Sequence, residues 1–88
     1  MCTYQTERVG LEGSSAKGPQ GWFSVTSASV YFDHPVHAPA DHTLNIDLLN
    51  EAMGPGARVA MELGPDAAEA LAHAILRAVS MARSLEIY

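Results

Sequence analysis

Three of the four histidines fall within nine residues, in the stretch YFDHPVHAPADHTLNID from Tyr31 to Asp47. His34, His37 and His42 stand at the spacing H-x2-H-x4-H, and Asp33 and Asp41 precede the outer two. Three imidazoles with one open position are the donor set of a catalytic-type zinc centre, and they also suit copper or iron. Cys2, as a fourth ligand, would turn that centre into a closed zinc or a copper site. Asp33 and Asp41 are the carboxylates expected to orient the ligand rings from behind, although strand phase puts Asp33 on the opposite face to His34. Without a metal, the same rings serve general acid/base chemistry. The spacing is not a named signature, so surface histidines with no role are the plain alternative. His73 is read in that plain way.

The elements around the stretch must bring these residues together. Residues 22–34 alternate as a strand whose one face carries Trp22, Ala28, Val30, Phe32 and then His34. Residues 35–41 form a loop stiffened by Pro35 and Pro39, each of which fixes its own φ and extends the residue before it. Residues 42–49 form the clearest strand: Leu44, Ile46 and Leu48 face the core in phase with His42, and Thr43, Asn45 and Asp47 face out. Pairing of these strands sets His34 beside His42 at one end. A first strand over about 2–11, antiparallel to the second, would bring Cys2 to the same end.

The remaining chain completes a ββββα order. Residues 12–21, EGSSAKGPQG, read as a loop, either an ordinary hairpin connection or a flap over a site. Its Lys17-Gly18 order is followed by a strand, so it is not a phosphate loop. The fourth strand spans 57–63, with Val59, Met61 and Leu63 inward and Arg58 and Glu62 outward. Gly64-Pro65-Asp66 starts a helix that runs to about residue 82. Ala68, Leu71, Ile75, Val79 and Ala82 make its apolar stripe; Asp66, Glu69, His73, Arg77 and Ser80 make its wet face. The fold class is α+β, a four-stranded antiparallel sheet with one C-terminal helix on one face, in a single domain over residues 1–88. Trp22, Phe23, Tyr31 and Phe32 are read as core. The end of the fourth strand, and so the helix start, falls at the histidine end of the sheet, where it favours an anion over a bare cation.

Composition narrows the functions. Apolar residues make up 48%, much of it alanine, and 88 residues are few for a self-sufficient core. One helix covers only part of the sheet, so a homodimer is expected. The net charge is −5, and Arg8, Lys17, Arg58, Arg77 and Arg83 are scattered, which argues against nucleic acid and anionic membranes as partners. No apolar run reaches the roughly 18–20 residues of a membrane span. The N-terminus lacks the basic-then-apolar order of a signal peptide, and the single cysteine forms no intrachain disulfide, so a cytoplasmic setting is expected.

Taken together, MCTYQTE, GSSAKGPQGWFSVT, VYFDHPVHAPADHTLNID and GPGARVAMEL resemble a family of roughly ninety-residue actinobacterial proteins of unknown function. The resemblance covers the chain up to the helix. It implies a small soluble bacterial domain and transfers no reaction and no catalytic residue. The functional expectation is a small cytoplasmic metal-binding protein, possible enzyme activity included, with His34, His37, His42 and Cys2 as ligands and zinc, or else copper or iron, as the ion. A small-molecule ligand would fit the open position. A non-catalytic dimeric interaction module and a metal-free histidine acid/base enzyme of secondary metabolism are the alternatives.

Overall fold

The structure, a computed structural model, describes residues 5–34, 39 and 41–86. The strands are β1 (Glu7–Gly18), β2 (Gly21–Asp33), β3 (Thr43–Leu49) and β4 (Arg58–Leu63), followed by the helix α1 (Pro65–Ser84). A short 3-10 turn, Glu51–Met53, lies between β3 and β4. The sheet is antiparallel throughout, in the order β1-β2-β3-β4. No helix among the described residues is long and apolar enough to cross a membrane.

The stretch 12–21 is not a loop. β1 continues through it, pairing Ser14 with Val25, Ala16 with Phe23 and Gly18 with Gly21, so only Pro19 and Gln20 turn the chain. Glycine and serine disfavour strands in isolation, but here the ladder to β2 supplies the backbone partners that composition cannot foresee. The register slips between Gly10 and Ser14. Gly13 sits in that irregularity at φ 89, a conformation glycine adopts without a steric penalty. The Gly/Ser segment is therefore the arm of a hairpin rather than a flap.

Phe23, Val25 and Ala57 form the buried cluster, with Leu11, Ala16, Leu48 and Val59 packed against it. Tyr31 and Phe32 are half-buried. Trp22, read from sequence as core, is exposed. β3 pairs with β2 only from Ser27 onward, so the hairpin arm that carries Trp22 extends past the sheet that would cover it.

Burial along β3 runs against the alternation of its sequence. Thr43 and Asn45, expected to face water, are 1% and 8% exposed, while Leu44, Ile46 and Leu48 are only half-buried. On the polar side Thr43 and Asn45 bond to each other, and the apolar side is incompletely covered. The partial cover matches the behaviour of α1. The helix begins as expected, with Pro65 in its first turn and Asp66 beside it, and it meets the sheet mainly at β3. Ala68 is buried and Leu71 half-buried in the first turns, whereas Ile75 and Val79, further along the same stripe, are exposed.

Asn50 holds the β3–β4 connection. Its Nδ2–H donates to the Ser24 carbonyl at 2.9 Å, its Oδ1 accepts from the Ala52 N–H at 3.2 Å, and its own N–H donates to the Ala57 carbonyl at 3.3 Å. The residue is buried, and truncation removes both of the bonds that its side-chain amide makes. Asn50→Ala is expected to lower unfolding free energy by about 1–3 kcal/mol in urea titrations.

Candidate functional site

The β2–β3 register places Asp33 opposite Thr43, which sets His34 and His42 next to each other just beyond the paired segment. Their ring centroids are 4.5 Å apart, with the planes tilted by 32°. His34 is exposed and His42 half-buried, with its Nε2 buried. His34 Nδ1–H donates to the Asp41 carbonyl oxygen at 2.9 Å. A carbonyl can only accept, so Nδ1 carries the hydrogen, and in the neutral ring the lone pair is on Nε2. The backbone N–H of His34 donates to Asp33 Oδ1 at 2.7 Å.

Both aspartates expected to support the site touch His34. Asp41 orients the ring through its main chain rather than its carboxylate. Asp33 Oδ1 holds the His34 backbone N–H. His37 and Cys2 lie outside the described residues. Among the described residues, no group of three or more His, Cys, Asp and Glu side chains is placed to hold a metal ion. His73 is exposed on α1.

A groove of about 490 Å³ opens beside His34. Its floor comes from alternate residues of three neighbouring strands: Tyr31 and Asp33 on β2, Asn45 and Asp47 on β3, Ala60 and Glu62 on β4. Tyr31, Asn45 and Glu62 form one row across the sheet. The row was open to sequence reading, because Asn45, Asp47, Arg58 and Glu62 all alternate against apolar neighbours. Their convergence needed the register.

Asp47 is the hub of the groove. Its Oδ2 accepts from the Tyr31 hydroxyl at 3.0 Å and its Oδ1 from Arg58 Nη2 at 2.7 Å. Both oxygens are occupied, so Asp47 serves as an anchor. Asn45 is oriented by the Thr43 hydroxyl, which donates to its Oδ1 at 2.7 Å. The carboxylates of Asp33, Asp47 and Glu62 outnumber the single guanidinium of Arg58, which gives the groove an acidic balance.

Burial pushes the Tyr31 hydroxyl above the ordinary tyrosine range, and both the hydrogen bond to Asp47 and its charge push the same way; Arg58 opposes them. Tyr31 therefore stays a hydrogen-bond donor at neutral pH. Because the folded state raises this pKa, its contribution to stability is complete below the unfolded value of about 10 and is lost as pH rises through the folded value. The stability gap between wild type and Tyr31→Phe is expected to narrow above about pH 10 in urea unfolding series. A gap constant from neutral to alkaline pH would count against the Tyr31–Asp47 bond.

Comparison with known proteins finds that a family model matches residues 1–86; it is described as a family of unknown function, DUF6295. No curated protein and no solved structure matches the chain.

Proposed function

The chain belongs to that family, which supplies no reaction, and from the site itself we propose that the protein binds a divalent transition metal at the β2–β3 end, beside a groove suited to a small polar ligand. The observation that carries this reading is the His34 ring. With Nδ1–H committed to the Asp41 carbonyl, Nε2 is the available donor. Metal-binding imidazoles are held in this way, one nitrogen on the ion and the other hydrogen-bonded to a carbonyl or carboxylate. His42 supplies a second imidazole at stacking distance.

Two rings do not complete a coordination sphere. His37 and Cys2 are the further ligands suggested by the sequence, and zinc is the ion such a set suits first, with copper or iron next. A reduced thiol among the ligands fits a cytoplasmic setting. The metal would act as a Lewis acid toward a group in the groove. The chain's own contribution is positioning: Asp41 fixes the His34 tautomer, Asp33 fixes its backbone, and the Tyr31–Asp47–Arg58 network shapes the adjoining wall. A metal-free acid/base enzyme would use the same His34 Nε2 as the base.

Elemental analysis of untagged protein reloaded with zinc separates these readings. About one equivalent per chain is expected, falling below about 0.2 in the His34→Ala/His42→Ala double variant with an unchanged far-ultraviolet circular dichroism spectrum. His37→Ala and Cys2→Ser then report separately on the other two ligands. Wild-type protein that takes up no zinc, copper or iron on reloading would leave only the metal-free readings standing.

A further inference from the structure

The helix α1 carries a broad apolar surface that its own sheet leaves open. Ile75, Leu76 and Leu85 are 53%, 66% and 59% exposed, and Val79 and Met81 are also exposed. Ile75 and Val79 continue the stripe begun by Ala68 and Leu71, so cover weakens along the helix while its apolar face continues. A helix of this length gains most of its stability in water from packing that face, not from propensity.

The dimensions of the chain agree. The accessible surface is 6451 Å², whereas a compact 9.4 kDa monomer exposes about 5,000 Å². The radius of gyration is 14.5 Å, against about 12 Å for a compact chain of this length. The excess of roughly 1,400 Å² exceeds the approximately 800 Å² that each partner buries in a stable interface. The sheet adds to this uncovered surface, since Val9 and Met61 are exposed and Leu44 and Ile46 half-buried on its apolar side.

We infer that α1 is the homodimerisation element, and that its occupant is a second copy of this chain with the two helices antiparallel across a two-fold axis. Charge selects the direction. Glu69, toward the N-terminal end of the helix, and Arg83, toward the C-terminal end, border the stripe, whereas Asp66 and Arg77 lie on the far face. Antiparallel pairing sets the acidic end of one helix beside the basic end of the other and opposes their dipoles. Parallel pairing would set like charges together. The antiparallel arrangement also lays the uncovered half of each helix over the body of its partner. It rests on no residue of the histidine site, so it stands or falls independently of metal binding.

Light scattering after size-exclusion chromatography tests it on the full chain. The expected mass is about twice that of the chain. Ile75→Asp/Val79→Asp is expected to weaken dimerisation at least about thirty-fold. Because that variant could also lose the fold, a charge-exchange series supplies the second readout. Glu69→Arg and Arg83→Glu should each weaken the dimer, and the combined variant should recover it. A monomer throughout a titration to about 100 μM, well above the concentration at which a stable homodimer associates, would overturn the proposal. So would a dimer indifferent to both the stripe and the charge series.

Discussion

A one-residue slip between β2 and β3 would turn every side chain of the central pair to the opposite face. The register that pairs Asp33 with Thr43 is therefore what the rest of the structure depends on. It sets His34 against His42, aligns Tyr31 with Asn45, and brings Asp47 within reach of the Tyr31 hydroxyl from the neighbouring strand. Side-chain bonds then reinforce the register that created them. Tyr31 and Arg58 reach Asp47 from the two strands flanking β3, so the carboxylate ties together three strands that alternation alone would leave free to slip. The arrangement stabilises the pairing through a polar pin rather than through apolar packing.

The molecule accordingly buries an unusual side of its sheet. Its central cluster is small, built on Phe23, Val25 and Ala57, and the alanines that raise the apolar fraction contribute little area each. Meanwhile Thr43 and Asn45 are shut in, and the apolar side of β3 is only half-covered. Burying polar groups is tolerable where they bond to each other, as Thr43 and Asn45 do. An apolar face left half-wet has no such internal remedy. Added cover would stabilise it, which is the physical reason for proposing a second copy against the helix.

Much of this was legible in the sequence because it rests on local periodicity. The ββββα order, the Gly64-Pro65-Asp66 helix start, the apolar stripe of α1 and the adjacency of His34 with His42 all follow from alternation, phase and turn residues. Where tertiary partners override local preference, the sequence misled. Residues 12–18 look like a loop by composition and are a strand by pairing. Trp22 looks like core by hydrophobicity and lies past the edge of the strand that would cover it. Asn50 looks like an ordinary turn residue and caps Ala52 as one, but its bonds to Ser24 and Ala57 reach partners that no local pattern predicts. The groove stands between these cases: Asn45, Asp47, Arg58 and Glu62 were visibly outward, and only the register showed that they line one concavity with Tyr31 and Asp33.

The helix start bears on what the histidine end would accept. β4 pairs Leu63 with Leu44, so the first turn of α1 begins next to the strand end that carries Thr43 and His42. A helix N-terminus presents partial positive charge and uncommitted N–H groups, which favour an anion. The groove floor beside His34 carries more carboxylates than guanidinium groups and favours the opposite sign. A ligand that satisfies both fields has charge separation of its own, with an anionic end toward the helix start and a donor-rich or cationic end over Asp33, Asp47 and Glu62. A metal ion, if held by the proposed His34 and His42 ligands, would reconcile the same two fields in another way by supplying positive charge at the histidine end, while the acidic groove would hold the rest of the ligand. On the proposed reading, the distribution of charge around His34 would favour a small ligand with two unlike ends over a simple anion or a simple cation.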